Sequence, residues 1–195
     1  MIQYPEGATP LSEDELKGLI PGHIVTRGEL DAWEALNIDR AHQWLDRVRL
    51  WDILSEPSVR LLHRKMFDET WTWAGQYRTT EKNLGVKVWQ IQDEVPKLCA
   101  DAKYWIEHST FPQEEIAVRF HHRLVWVHPF PNGNGRHARL MADVLMKKVL
   151  GKPAFSWGGG PLEKAGELRK KYLDALHEAD HDEFGPLLTF ARSGS

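Results

Sequence analysis

Cysteine is nearly absent from this 195-residue sequence, which contains only Cys99. A single cysteine cannot form a disulfide within the chain, which agrees with a reducing compartment. The sequence also lacks an apolar run of membrane-spanning length, and its N-terminus has no basic-then-apolar signal pattern. These absences predict a cytoplasmic protein with no membrane partner, in which Cys99 lies buried and unreactive on a helix.

An excess of charge of one sign is missing as well. The 25 basic and 28 acidic residues leave a net charge of −3, so we expect no nucleic-acid partner. Internal repeats and low-complexity segments are also absent. The remaining composition, 42% hydrophobic and 27% charged, is typical of a soluble globular protein with one hydrophobic core.

Helical patterns cover most of the chain. Thr26 and Glu29 form a capping box that predicts a helix over Gly28–Leu36, and Asp39 is predicted to cap a separate helix after it. The exception is Gly85–Ile91, where apolar and polar residues alternate as in a short exposed hairpin. A plain loop is the alternative there. The sequence therefore predicts an all-α fold with one short hairpin.

The segment that carries most of the candidate chemistry is residues 128–139, His-Pro-Phe-Pro-Asn-Gly-Asn-Gly-Arg-His-Ala-Arg. Gly133 and Gly135 let the backbone turn and let a ligand approach main-chain N–H groups. The apolar periodicity of Leu140–Leu150 predicts a helix, so these N–H groups lie at its N-terminus, where an anion such as phosphate is favoured. A purely structural turn before a helix is the alternative interpretation.

Three ionisable side chains belong to the same segment. Arg136 and Arg139 can clamp phosphate oxygens with their guanidinium forks. His128 is the candidate general base, although a single histidine is often only packed or solvated. Because all three occur within twelve residues, the segment favours a phosphate site beside a base. It is not a P-loop, since no Gly-Lys-Ser/Thr follows.

At these residues the sequence resembles the Fic (Fic/Doc) family, whose motif is His-x-Phe-x-Asp/Glu-Gly-Asn-Gly-Arg-x-x-Arg. The resemblance extends from about Ile38 to Phe190, and the first forty residues are similar to a subgroup associated with mobile elements. It implies a Fic-type helical bundle with a β-hairpin flap over residues 38–195, preceded by a helical extension over 1–37. The residues that fit the motif at the family's spacing are His128, Phe130, Gly133, Asn134, Gly135, Arg136 and Arg139.

The resemblance implies transfer of AMP from ATP to a Ser, Thr or Tyr hydroxyl of a target protein. By this resemblance the turn at Gly133 and Gly135 receives the triphosphate, Asn134 and Arg136 hold its α- and β-phosphates, and Arg139 holds its γ-phosphate. The implied cofactors are ATP as co-substrate and Mg²⁺.

The chain departs from the motif at Asn132, where the family has a metal-binding acid. An amide oxygen is a poorer Mg²⁺ ligand than a carboxylate, so we expect only weak contact with a metal held by the phosphates. Two alternatives follow: a kinase-like Fic relative that transfers phosphate, and a non-catalytic binding module.

Other implied contacts lie outside the motif. In Fic proteins the region of Gly85, Val86, Lys87 and Val88 is a flap that binds the target backbone as an added strand. The helix that contains Tyr172 and ends near Asp180 resembles the family's closing helix, on the nucleobase side. Core packing is the alternative role for Tyr172, and helix capping for Asp180.

Inhibition in many Fic proteins comes from a helix with Ser/Thr-x-x-x-Glu-Gly/Asn. Here Glu6 and Gly7 follow Ile2, where Ser or Thr is needed, and Thr9 and Glu13 have the spacing but lack the final residue. Neither is a full match. A separate antitoxin chain, as in a toxin–antitoxin pair, a degenerate N-terminal segment and no inhibition at all remain open.

Overall fold

A computed structural model describes residues 11–49, 52–162 and 166–194. In these residues the chain forms helices and no sheet, which confirms the all-α prediction. None of the described helices combines the length and the apolar character that a bilayer crossing needs. The described α-helices are α1 (Glu13–Leu16), α2 (Arg27–Arg47), α3 (Glu56–Phe67), α4 (Ile91–Glu107), α5 (Gln113–Val127), α6 (Asn134–Val144), α7 (Glu167–Ala179) and α8 (Gly185–Arg192).

Helix α2 is longer than the sequence patterns predict. Thr26 and Glu29 form the expected capping box, but Asp39 lies inside the helix and accepts a hydrogen bond from the Gln43 side chain, so its predicted role as a cap is wrong. The Asn37 side chain reaches the segment after α3, where its oxygen accepts a hydrogen bond from the Glu69 N–H. This tertiary contact stabilises a continuous helix across residues 37 and 38, the position at which the resemblance implies the start of the Fic domain.

The core lies around α5 and α6, which pack on each other. Helix α4 packs on α5, and α3 packs on both α4 and α6, with Phe120, Phe130 and Met141 fully buried between them. Helices α7 and α8 form a second buried cluster that α5 also contacts. The loop between α5 and α6, which contains the motif, is therefore held from several sides.

The predicted hairpin at Gly85–Ile91 is not formed. Bends cover residues 83–86, and Val88–Gln90 form a 3-10 helix that leads into α4. The Lys87 N–H bonds the side chain of Gln90, and the Val88 N–H bonds that of Glu81. Because nearby side chains accept the hydrogen bonds of these two N–H groups, the groups do not need a partner strand.

Most of the residues considered for an inhibitory segment lie outside the described residues: Ile2, Glu6, Gly7 and Thr9. Glu13, the acid that Thr9 would need, begins α1.

Candidate active site

The motif loop is a sharp reversal between α5 and α6. His128 ends α5 in the left-handed conformation (φ 52°, ψ 58°), and Gly133 precedes α6 in the same region (φ 76°). A Cβ atom at Gly133 would lie 2.6 Å from the Phe67 ring, so only glycine fits there without a shift. The reversal places the base candidate at one end of a short loop and the N-terminus of α6 at the other.

Asn134 closes this loop from inside. The Phe130 N–H donates to Asn134 Oδ1 at 2.9 Å, and Asn134 Nδ2 donates to the Phe130 carbonyl at 2.8 Å. Phe130 is fully buried and Asn134 nearly so. The resemblance put the Asn134 side chain on a phosphate, but its amide is bonded to the loop at both ends, so here it holds the shape of the loop.

His63 in α3 holds the same loop from the other side, and the sequence patterns did not single it out. Its ring stacks on Phe130 with centroids 3.7 Å apart, and its Nε2 lies 3.0 Å from the Asn132 carbonyl. The Gly75 N–H donates to His63 Nδ1, so Nε2 is the nitrogen that carries the proton. Burial lowers the pKa of His63 well below its usual value, which keeps this neutral tautomer.

Asn132 offers little to a metal ion. Its Oδ1 accepts a hydrogen bond from the Gly133 N–H at 2.7 Å, so the one candidate ligand atom is neutral and already bonded. The described residues contain no group of three or more His, Cys, Asp or Glu side chains arranged to hold a metal.

His128 has the protonation state that a general base needs. Its Nδ1 lies 3.3 Å from the Val125 carbonyl, so Nδ1 carries the proton and Nε2 has the lone pair. Burial, with a smaller contribution from the nearby charges of Arg78 and Lys82, lowers the pKa of His128 to about 4. The imidazole is therefore neutral at physiological pH.

Arg78 ties the flap segment to the motif, and it too was missed by the sequence patterns. Its Nε donates to the His128 carbonyl at 2.7 Å, and its other guanidinium nitrogens donate to the carbonyls of Thr80 and Val86. A Cβ atom at Gly85 would lie 2.6 Å from the Cβ of His128. Two of the predicted flap residues, Gly85 and Val86, thus lie directly beside the base.

Helix α1 supports this segment as well. The Glu15 carboxylate completes the α1 capping box with Ser12 and accepts hydrogen bonds from the Thr80 hydroxyl and the Lys82 ammonium. These contacts hold the pKa of Glu15 below its usual value against the effect of burial. The N-terminal part of the described chain therefore fixes the loop that covers His128.

The two arginines of the motif point towards other helices. Arg136 donates to the Glu34 carboxylate of α2 at 2.7 Å and lies 4.9 Å over the Phe67 ring. Arg139 lies 5.5 Å over the Tyr172 ring of α7. Both line a cavity of about 430 Å³ between α2 and α6, which is large enough for part of a small ligand.

The two residues predicted on the nucleobase side occupy different surroundings. Tyr172 is buried, with its hydroxyl 3.0 Å from His121 Nε2. Asp180 ends α7 and pairs with His122 at 2.9 Å on a more exposed surface. Tyr172 is therefore close to Arg139, and Asp180 is bonded to α5.

Known relatives resemble this chain over most of its length. A protein adenylyltransferase fic-1 from Caenorhabditis briggsae is 31% identical over 125 residues, covering 63% of this chain and 23% of that protein. The protein adenylyltransferase Fic of Nematostella vectensis is 24% identical over 182 residues, covering 90% of this chain and 40% of that protein. The chain thus spans less than half the length of these curated relatives.

Solved structures share the fold. Fic-1 of Caenorhabditis elegans (residues 134–508) superimposes with a TM-score of 0.67 at 25% identity, covering 91% of this chain and 51% of that one. BepC of Bartonella tribocorum, solved with bound AMPPNP, gives 0.65 at 17% identity, covering 93% and 97%. The family model of the Fic/DOC family matches residues 53–146, from the loop just before α3 to just past the end of α6. This match, together with the Fic relatives and the shared fold, shows that the chain contains a Fic/DOC domain, which includes the motif loop.

Proposed function

We propose that this protein is a protein adenylyltransferase that transfers AMP from ATP to a Ser, Thr or Tyr hydroxyl of a target protein. The names of its relatives support this activity. The single observation that carries the proposal is the placement of His128, neutral and with its Nε2 lone pair, one short loop away from the N-terminus of α6. A base beside an anion site is the arrangement that phosphate transfer to a hydroxyl needs.

The triphosphate binds at the start of α6. The main-chain N–H groups of Asn134, Gly135 and Arg136 face an anion at a helix N-terminus, where the helix dipole also attracts it. Asn134 contributes its backbone here, because its side chain closes the loop. Arg136 holds the α- and β-phosphates, and Arg139 the γ-phosphate. The contact of Arg139 with the Tyr172 ring supports this role, because it restrains the guanidinium.

The transfer step uses the imidazole as base. The target hydroxyl gives its proton to Nε2 of His128, and its oxygen forms a bond to the α-phosphorus. The bond between the α-phosphorus and the bridging oxygen breaks, and pyrophosphate leaves with the electron pair. The loop of Gly85 and Val86, fastened by Arg78, shields this step from water.

Mg²⁺ enters with the nucleotide as part of the Mg·ATP substrate. The phosphate oxygens supply its main ligands, because the side chain that the family uses here is the amide of Asn132. Asn132 can offer one neutral oxygen once its bond to the Gly133 N–H opens.

The target contacts the segment Gly85, Val86, Lys87 and Val88 at the entrance to His128. Since the Lys87 and Val88 N–H groups are bonded to side chains, the target binds mainly through flanking side chains, not through added strand pairing. Leu84 and Trp89, 44% and 72% exposed, are the apolar groups available there.

On the opposite side of the site, Tyr172 and Asp180 border the nucleobase end. A separate inhibitor chain remains a further proposed partner.

Labelled nucleotide tests the proposed reaction. The protein incubated with α-labelled ATP and a cell lysate should label target bands that are absent without the protein, whereas with γ-labelled ATP the protein should add no band to those of the lysate alone. Only AMP transfer keeps the α-phosphorus on the target. Label from γ-labelled ATP would show phosphate transfer, and no label from either would point to a binding module.

Replacing Asn132 by aspartate should tighten the binding of Mg²⁺ and increase the rate of AMP transfer. A carboxylate is a better ligand for this hard cation than an amide. Transfer rates measured against free Mg²⁺ should show a lower half-saturating concentration and a higher maximum than the wild type. Asn132→Ala is the matched control, which removes the amide without adding a charge. An unchanged or slower Asn132→Asp variant would contradict the expectation.

A further inference from the structure

Glu34 is a buried acid that lies outside both the motif and the matched residues 53–146. It belongs to α2 and is only 3% exposed. One of its oxygens accepts a hydrogen bond from the Trp71 indole N–H at 2.7 Å, and the other accepts one from Arg136 at 2.7 Å. Burying a carboxylate costs free energy unless its oxygens are hydrogen-bonded, and here both oxygens have a partner.

We propose that Glu34 is a positioning residue that fixes the guanidinium of Arg136 for the phosphates of the nucleotide. The inference rests on the proposed function. It adds that α2 supplies part of the nucleotide site, from a part of the chain that the family match does not include.

The guanidinium of Arg136 is held on two sides. Glu34 binds its NH1, and the Phe67 ring lies 4.9 Å from its central carbon. An arginine side chain has many rotamers, and fixing one of them costs conformational entropy when a ligand binds. In this protein α2 and α3 have restricted the side chain before the ligand arrives, which favours binding.

Glu34 is itself anchored. Trp71, which holds its second oxygen, is buried, stacks on Trp73 with centroids 4.9 Å apart, and donates its backbone N–H to the Phe67 carbonyl at 2.8 Å. Trp71 and Phe67 thus form one rigid support under the pair of Glu34 and Arg136. A carboxylate anchored in this way orients its partner and does not follow it towards a ligand.

A guanidinium carries N–H donors on three nitrogens, and the hydrogen bond to Glu34 is made by NH1. Arg136 lies in the first turn of α6, beside the N–H groups that receive the anion. The carboxylate approaches from α2 and is shielded from solvent, so its charge is neutralised by Arg136 and is not presented to the phosphates.

The test compares Glu34→Gln with wild type in the full chain. Glutamine keeps the size of the side chain but lacks the charge and one acceptor. We expect the Kd for Mg·AMPPNP, measured by calorimetry, to rise about tenfold, and competition by inorganic pyrophosphate to weaken equally. In the transfer assay KM for ATP should rise by the same factor while kcat changes less than threefold, a split that general destabilisation would not produce.

Two further variants keep the test decisive. Glu69→Gln removes the exposed pair between Arg40 of α2 and Glu69, a second tie from α2 to the residues before Trp71, and should leave Kd unchanged. Trp71→Phe removes the anchor of Glu34 but keeps the ion pair, and should raise Kd about threefold even if Glu34→Gln does not fold.

The outcomes separate the two proposals. If wild type binds Mg·AMPPNP and Glu34→Gln binds it equally or more tightly, the positioning role is overturned and the proposed function stands. If Glu34→Gln is unfolded and Trp71→Phe binds as wild type does, the positioning role is also overturned. If wild type binds no nucleotide, the proposed function is overturned and this inference with it.

Discussion

Replacing His128 with alanine is expected to lower the rate of AMP transfer by about 10² to 10⁴, the usual contribution of a general base. Nucleotide affinity should change little, because the phosphates bind at the start of α6 and not on the imidazole. The measurement is the initial rate with α-labelled ATP, together with a separate titration of ATP binding.

His128→Asn is the matched control for backbone effects. His128 has φ 52°, a region that asparagine tolerates better than alanine does. Asparagine has no basic nitrogen, so this variant should be as slow as His128→Ala while its melting temperature stays closer to wild type. Transfer at the wild-type rate in either variant would refute the assigned role.

The pH dependence of transfer gives an independent check. A base must be neutral, so activity is lost as pH falls through its pKa. With the usual pKa of about 6.5, about three quarters of the imidazole would be protonated at pH 6, whereas burial lowers the pKa of His128 to about 4. We therefore expect kcat/KM to stay nearly constant between pH 7.5 and 6.

The second large effect is a loss of folding stability in mild acid. Histidines buried in the folded protein have lowered pKa values because of burial: to about 4 for His128, to about 3 for His121 and His137, and well below the usual value for His63. Below about pH 6.5 the unfolded chain binds protons that the folded chain does not, so stability falls as pH falls.

The expected size follows from the unfolded pKa. Between pH 7 and 5.5 each of these histidines should lower the free energy of unfolding by about 1 kcal/mol, or about 4 kcal/mol together. Asp143 opposes this, because burial raises its pKa to about 6 and the folded state binds its proton first. Its effect is smaller, under about 1 kcal/mol over the same range. The net loss is a large part of a typical domain's stability.

Urea unfolding at several pH values would measure this loss. The slope of the unfolding free energy against pH gives the number of protons taken up on unfolding, and this number should be lower by about one in His137→Gln. Glutamine does not titrate, but it can still donate a hydrogen bond to the Val59 carbonyl that His137 now contacts. His181→Gln makes the same replacement at an exposed position and serves as the matched control. A wild type equally stable at pH 7 and 5.5 would contradict the prediction.

Local patterns in the sequence predicted much of the fold. Capping residues such as Thr26 and Glu29 determine where a helix starts through bonds within one turn, and the helical periodicity after the motif was also correct. The continuous α2 and the missing hairpin could not be predicted, because Asn37 bonds the distant Glu69 and side chains satisfy the flap backbone. Such contacts depend on residues far apart, or on local bonds that compete with strand pairing.

By itself, the sequence predicted the resemblance to the Fic/DOC family, the motif loop and the candidate base, His128, because spacing along a short segment is a local property. Only the tertiary structure decided what surrounds that loop: His63 beneath it, Arg78 beside it, and Glu34 on Arg136. It also turned the Asn134 side chain from a candidate phosphate ligand into an internal support. The physical reason is that burial and hydrogen-bond partners arise where distant helices meet, and they decide which polar atoms are left for a ligand.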